Sequence, residues 1–447
     1  HFRPFVINFM HPRWIKFFQI RFIYQSETKS ITINITIINI TIINITTCYY
    51  ETRTKKEILN ILLLSQFFST TKGGGEYVFK SMAKNLTQNG HKVWVITNNV
   101  RGEIYLESNS LKIITVSPTL EYKGGLPPTF LDNIRYVINA FNVGKKIIKN
   151  QDIDIIHSNN FSPSLAGSLI SYFTKKPHII TIFDIFSQNG KDFWRKWIKQ
   201  TNVSKINAML VPWFEKILMK IKHDAIYTIS DASKEDILKM HAKKPIYNIP
   251  PSIEDTINLN EKIILSQFVC ISRLVFYKNL EVIIKAISVV IKSIPQCKLI
   301  IIGDGPHKKS LQQLVKKLEL EKNIIFKGYV TSEEKKKLIS ESNAMLFPST
   351  IEGFGLVMLE SWQQNRPVLA SNIPPMSDII EHDKTGLIID QNNEKQWGEK
   401  IIYLIKNPNI SDEMGKAGNK VLKIKYNQGL FYENLVKMYN DILSKNP

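Results

Sequence analysis

From Ile58 onward, short runs of β-branched and aliphatic residues alternate with longer stretches in which apolar positions recur every three or four residues. Runs of the first kind suit parallel strands buried on both faces, and stretches of the second kind suit helices with one buried stripe. The pattern predicts strands at Ile58–Leu64, Lys92–Thr97, Leu111–Val116, Asp154–Ser158, His178–Phe183 and Ala225–Ser230. A second set is predicted at Gln267–Ser272, Lys298–Gly303, Asn323–Gly328, Ala344–Ser349 and Pro367–Ser371. Strand-helix alternation throughout places the chain in the α/β class, with doubly wound parallel sheets of Rossmann-like type. Between the sets, Asn248–Asn260 contains Pro250-Pro251 and no strong periodicity, so it reads as a linker. The expected division is an extension at 1–55, a first half at 56–250 and a second half at 261–427. Open sheets of this kind bind ligands beyond the carboxyl ends of their strands, which puts the expected site in the cleft between the halves.

The first 55 residues break the pattern. Five Lys/Arg stand against one acid in the first 30, and Asn-Ile-Thr then recurs at Asn34, Asn39 and Asn44. This low-complexity extension is expected to be poorly ordered; a surface anchor or an aggregation-prone edge is the alternative. None of its windows reaches the ~18 uninterrupted apolar residues of a spanning helix.

Composition narrows the partners. With 447 residues, 43% hydrophobic and 22% charged, the chain fits two or three globular domains and excludes collagen-like and wholly disordered classes. Lys and Arg outnumber Asp and Glu by 59 to 39, a net charge of +20 that favours a polyanionic partner: a phosphorylated small molecule, an anionic membrane surface or nucleic acid. Cys48, Cys270 and Cys297 are too few and scattered for a disulfide framework, so a cytoplasmic location is expected. Aromatic and basic residues do not alternate as in a nucleic-acid module.

Two constellations carry candidate chemistry. In Pro348-Ser-Thr-Ile-Glu352-Gly-Phe354-Gly355-Leu356…Glu360, a strand leads through glycines into a helix whose N-terminus offers N–H groups to phosphate. Glu352 and Glu360 either hold two hydroxyls of one extended ligand or are an ordinary loop glutamate and a solvated helix glutamate. In Ser272-Arg273…Lys278-Asn279 a strand ends in two cations five residues apart, able to neutralise a diphosphate without metal, or simply lying on the surface. No G-x-G-x-x-G follows a strand, which argues against a nicotinamide or flavin dehydrogenase. Asp152-Ile-Asp154 precedes its strand rather than following it, so no metal is expected there.

Together with Gly73-Gly74-Gly75-Glu76, Gly303-Asp304-Gly305-Pro306 and Thr385-Gly386, these motifs resemble the retaining glycosyltransferases of family 4, with the GT-B fold. The resemblance runs from Ile58 to the C-terminus. It implies that Arg273 and Lys278 bind a donor diphosphate. Glu352 and the amides at Phe354, Gly355 and Leu356 hold the donor sugar, Glu360 binds the ribose, and Gly74 and Gly305 approach the donor. It also implies a last helix, about 428–447, packed back on the first half. His157, at the strand end Asp154-Ile-Ile-His157-Ser-Asn159, stands where many members begin a histidine pair and is expected to orient a sugar hydroxyl. The second position is Asn159, and Phe183 replaces a frequent histidine in Thr181-Ile-Phe183-Asp184.

The implied activity is transfer of a sugar from a UDP- or GDP-linked donor to a hydroxyl of a glycan or lipid-linked acceptor, with retention and without metal or other cofactor. Alternatives are a nucleotide-sugar epimerase of the same fold and a non-catalytic sugar or polyanion binder. Lys191–Lys222 carries eight Lys/Arg against two acids and three tryptophans. Phe193, Trp194 and Trp197 are expected to be exposed and, with Asn159, to face the acceptor or an anionic membrane at its cytosolic face. The stripe Ile206, Met209, Leu210, Trp213, Phe214, Ile217, Leu218 and Ile221 predicts a buried helix after them.

Overall fold

Strands such as Ile155–Ser158, His178–Thr181 and Ala225–Thr228 are buried at every position, because helices cover the sheet from both sides. In this computed structural model the described residues are 58–445 apart from 69–72, 122–128, 202–204, 257 and 260, together with four strands in the first 57. Those four, β1 (Val6–Phe9), β2 (Phe18–Gln25), β3 (Ser30–Ile37) and β4 (Ile43–Thr47), pair antiparallel in chain order as a unit of their own. The Asn-Ile-Thr repeat supplies β3 and β4, with Asn34 opposite Asn44. The rest of the extension expected to be poorly ordered lies outside the described residues.

The unit from Ile58 to Pro447 contains two parallel sheets. The first comprises β5 (Asn60–Leu64), β6 (Lys92–Val100), β7 (Leu111–Leu120), β8 (Ile155–Ser158), β9 (His178–Thr181), β10 (Ala225–Thr228) and β11 (Ile246–Asn248). Their spatial order is β11-β10-β9-β8-β5-β6-β7. The second, in the order β14-β13-β12-β15-β16-β17, comprises β12 (Ile264–Ile271), β13 (Lys298–Ile302), β14 (Ile324–Gly328), β15 (Ser342–Phe347), β16 (Val368–Ser371) and β17 (Gly386–Ile389). Each predicted strand has its counterpart. β11 and β17, of three and four residues, are additions at the edges of the two sheets.

Helices α1 (Gly74–Gln88), α2 (Phe130–Asn150), α3 (Ser162–Thr174), α4 (Lys191–Thr201), α5 (Lys205–Leu218) and α6 (Asp231–Lys239) belong to the first half. The second half has α7 (Leu280–Val290), α8 (Lys308–Lys317), α9 (Ser332–Glu341), α10 (Leu356–Gln363), α11 (Met376–Ile379), α12 (Glu394–Lys406) and α13 (Pro408–Lys425). The last helix, α14 (Gln428–Lys445), crosses back. Its Phe431, Leu435, Met438 and Tyr439 share a core with Val78, Phe79 and Met82 of α1. The predicted buried stripe of α5 is corrected at Trp213, which is 60% exposed, while Leu218 is buried. The turn also buries Glu215, which accepts the Phe186 and Ser187 amides at 2.8 Å each. Side chains of residues 201–211 lie outside the described set.

Candidate active site

Loops at the carboxyl ends of β12 and β13 interlock because glycines remove the atoms that would separate them. A Cβ on Gly303, whose φ is +125°, would stand 2.0 Å from the Ser272 carbonyl oxygen, and one on Gly305 would stand 2.4 Å from that of Leu274. The Leu274 amide donates to the Asp304 carbonyl at 3.0 Å, and the His307 amide to the Leu274 carbonyl at 2.9 Å. Gly305 therefore shapes the loop that carries Arg273. Arg273 Nη2 donates to the Tyr277 hydroxyl at 3.0 Å. A single 3-10 turn, Phe276–Lys278, then carries Lys278 inward, where it is buried and its Nζ lies 2.5 Å from Glu352 Oε2.

Glu352 comes from the loop after β15. Gly355 ends that loop at φ +86°, where a Cβ would meet Met358 and Phe347 at 2.9 Å, and no side chain caps the α10 N-terminus that follows. Phe354 is buried with its ring edge-on to Tyr426, at the end of α13. On α10, Glu360 Oε1 accepts from Lys335 Nζ at 2.7 Å while its buried Oε2 has no hydrogen-bond partner among the described residues. Lys335, on α9, is a neighbour no local motif announced.

The first half meets these loops edge to edge. Glu76, three residues after the N-cap Gly73, folds back so that a Cβ on Gly73 would fall 2.0 Å from its Oε2. A Cβ on Gly75 would approach Phe183 to 2.9 Å, whereas at Gly74 the nearest atom is Leu356 Cδ1 at 3.7 Å, across the cleft. Just after β9, Asp184 lies against the loop that follows β15: a Cβ on Gly353 would stand 2.4 Å from Asp184 Oδ1. Burial pushes the Asp184 carboxyl up to about 6; nearby Glu352 adds to the rise, and Lys278 and Arg273 oppose it. Burial likewise raises Glu76, with Arg273 among the groups opposing. Arg273, Lys278, Glu352, Asp184 and Glu76 thus form one electrostatic cluster in which acids outnumber cations. Glu76 appeared in the sequence only as part of a motif and Asp184 only beside a departure from one; the convergence of sheet ends joins them.

Two expectations are corrected. His157 does not face the cleft: it is fully buried, Nδ1 pairs with the Tyr439 hydroxyl and Nε2 with Thr181 Oγ1 at 2.9 Å each, and Phe79, Tyr227 and Tyr439 surround the ring. Burial lowers its pKa to about 3, so it is a neutral packing group joining β8, β9 and α14. Asn159, past the end of β8, donates from Nδ2 to Ser65 Oγ at 3.2 Å and is half-buried at the sheet's carboxyl edge. The aromatics of α4 are not an outward-facing set either. Trp197 stacks on Tyr277 with centroids 6.0 Å apart, Phe193 stacks on Phe186 and Trp197, and Trp194 is edge-on to Phe193. Gln200 completes the bridge, its Oε1 accepting the Phe276 amide at 3.0 Å and its Nε2 meeting His307 Nδ1 at 2.6 Å. Asp154, from the D-x-D pair, accepts the Asn60 amide at 2.8 Å at the opposite, amino edge of the sheet.

The family profile for glycosyltransferase family 4 matches residues 72–256, and that for glycosyl transferases group 1 matches residues 255–421. An uncharacterized glycosyltransferase of Methanocaldococcus jannaschii is 25% identical over 350 residues, 73% of this chain and 84% of that protein. The N-acetyl-α-D-glucosaminyl L-malate synthase of Bacillus anthracis is 22% identical over 392 residues, 83% of this chain and 94% of that one. HepE of Anabaena, solved with UDP-glucose, superposes with a TM-score of 0.63 at 16% identity, over 85% of this chain and 99% of that chain. Two facing parallel-sheet halves, the cleft-lining motifs and profiles that together span residues 72–421 lead to one assignment: the chain belongs to the family 4, group 1 glycosyltransferases and has the GT-B fold.

Proposed function

We propose that the chain transfers a sugar from a nucleotide-diphosphate donor, UDP- or GDP-linked, to a hydroxyl of a glycan or lipid-linked acceptor, with retention and without metal. The observation that carries this reading is the buried contact between Lys278 and Glu352, 2.5 Å apart beside Arg273 at the uncapped start of α10. A diphosphate entering there draws Lys278 to itself, so the cation moves from one anion to another and Glu352 becomes available to a sugar hydroxyl. Arg273, Lys278 and the amides from Phe354 to Leu356 then face the charge that grows on the departing diphosphate, which is where electrostatic catalysis has most effect. Oε2 of Glu360, which has no hydrogen-bond partner among the described residues, suits a ribose hydroxyl, and Gly74 leaves room for donor and acceptor to meet. With the acceptor on the face the nucleotide leaves, the diphosphate itself receives the acceptor proton. HepE, a protein of the same fold, was solved with such a donor.

Work at the cytosolic face of a membrane is part of the proposal; among the described residues no helix is long and apolar enough to cross one. Calorimetry of UDP and GDP, with and without EDTA, tests the core of it: binding by one nucleotide that survives EDTA is expected. Loss of both binding and transfer in EDTA refutes metal independence, and absence of any nucleotide binding refutes the donor class.

A further inference from the structure

The outer face of α2 is apolar where a helix in water is ordinarily polar. Leu131, Ile134 and Ile138 are between 40% and 63% exposed, and with Lys145 and Lys149 they fall on one stripe at helical spacing. Phe130 extends its start, and Tyr172 and Phe173 at the end of α3 adjoin it, all more than half exposed. Lysines rim this surface and lie on its rings: Lys145 Nζ is 5.2 Å from the Phe141 centroid and 5.3 Å from that of Phe173, and Lys175 Nζ is 5.1 Å from that of Tyr172. Among the described residues, Lys145, Lys146, Lys149 and Lys175 face no carboxylate partner, whereas Lys176 nearby is paired with Asp152.

We infer that the α2–α3 face docks on an anionic lipid bilayer, the apolar stripe entering the headgroup boundary and the lysines meeting lipid phosphates. From Leu131 to Lys149 the stripe runs about 27 Å at 1.5 Å per residue, the form of a helix lying in the interface plane. Its apolar end is fixed beside the cleft. Asn133 Oδ1 accepts from Gln66 Nε2 at 3.0 Å and from Ser162 Oγ at 2.7 Å, which ties the start of α2 to loops at the carboxyl edge of the first sheet. Gly74 and Asn159 stand at that same edge, so a bilayer on this face presents its headgroups to the acceptor side. A second copy of the chain is the poorer occupant, since like patches bring like lysines together at a net charge of +20. This surface replaces the α4 aromatics, which the fold turns toward Tyr277. It extends the membrane part of the proposed function and leaves donor chemistry unaffected.

Sedimentation of the full chain with phosphatidylcholine vesicles, alone or mixed equally with phosphatidylglycerol, at low and high salt, tests the inference. Wild type is expected to bind the anionic vesicles at low salt and to release at high salt. Lys146→Glu/Lys149→Glu is expected to weaken partitioning roughly tenfold or more, and Leu131→Asp/Ile134→Asp to weaken it at least as much. Trp194→Ala should bind as wild type does. Circular dichroism and nucleotide affinity, measured on the same samples and expected to be unchanged, report folding and the transferase reading separately. No binding by wild type, equal binding by the α2 variants, or loss on Trp194→Ala alone overturns the inference. So does a dimer in gel filtration that the α2 variants dissociate, which reassigns the face to self-association.

Discussion

Lys278 and Glu352, seventy-four residues apart in sequence, form an ion pair between the loops that follow β12 and β15, with Nζ and Oε2 separated by 2.5 Å and both side chains largely buried. A buried pair of this kind costs desolvation on both partners, and removing one partner strands the other. Their contact joins the β12 loop to the β15 loop, and in the proposed reaction it gives way as Lys278 turns to the diphosphate.

Glu352→Gln frees that lysine. UDP or GDP alone is therefore expected to bind the variant as tightly as wild type or several-fold more tightly, while turnover with the nucleotide sugar falls by roughly 100-fold. Lys278→Ala is expected to weaken the nucleotide and reduce turnover together. Glu360→Ala is expected to raise the donor KM roughly tenfold with a smaller effect on kcat. Calorimetry beside steady-state kinetics separates the three; equal small effects from Glu352→Gln and Glu360→Ala place both glutamates outside the reaction.

Asp184 makes the fold sensitive to pH in the opposite sense from a salt-bridged carboxylate. Its carboxyl is pushed from 3.8 to about 6 by burial and by Glu352, so between those values the folded chain holds a proton that the unfolded chain has lost. The contribution of this group to stability is thus greatest below pH 4, declines as pH rises through about 6, and stays low above it. Asp184→Asn removes the titration. At pH 7.5 it is expected to raise the midpoint of thermal unfolding, with about 3 kcal/mol as the upper limit of the gain, and at pH 4 to have little effect. An equal gain at both pH values disproves the assignment.

Periodicity made both sheets legible, and the family motifs drew attention to Arg273, Lys278 and Glu352, which the parallel α/β topology brings together at the strand ends. Glu360, from the same motif, lies within α10 and pairs with Lys335. Three features were hidden for identifiable reasons. His157 sits at a strand end, but alternation along β8 cannot say that α14, which begins some 270 residues later in the chain, returns with Tyr439 to close over it. The basic, tryptophan-bearing composition of α4 suits lipid as well as an aromatic partner, and Tyr277 is supplied from the other half. Asp184 and Glu76 become unusual only when two sheet ends converge on them.

His157 and His178 are both held neutral by burial, each lowered to about 3, with Ser158 Oγ bonded to His178 Nε2 at 2.8 Å. Between pH 6.5 and about 3 the unfolded chain binds protons at these sites that the folded chain refuses, so stability is full above pH 6.5 and is lost as pH falls. His157→Ala also opens a cavity and removes the ring nitrogen bonded to the Tyr439 hydroxyl, leaving that hydroxyl only the weak acceptor Met82 Sδ at 3.4 Å. It is expected to cost about 2–4 kcal/mol in urea unfolding at pH 7.5 and to leave nucleotide affinity unchanged in the folded fraction. A variant of wild-type stability with lost turnover returns His157 to the reaction.

The α4 bridge predicts that contacts remote from the phosphates govern donor binding. Trp197 stacks on Tyr277, whose hydroxyl receives Arg273 Nη2, and Gln200 holds both the Phe276 amide and His307, itself bonded to Glu281. One helix of the first half thereby braces the turn that delivers Arg273 and Lys278. An aromatic pair contributes about 0.5–1.5 kcal/mol, so Trp197→Ala is expected to raise the donor KM roughly 3- to 10-fold while kcat changes less. Gln200→Ala should act in the same direction, and the double variant should fall short of the product of the two effects, because both brace one turn. Nucleotide binding is expected to change tryptophan fluorescence in wild type, with the change reduced in Trp197→Phe, where one indole is removed and the stack retained. Independent, multiplicative effects, or a fluorescence response as large in Trp197→Phe, show that α4 and the Arg273 loop act apart.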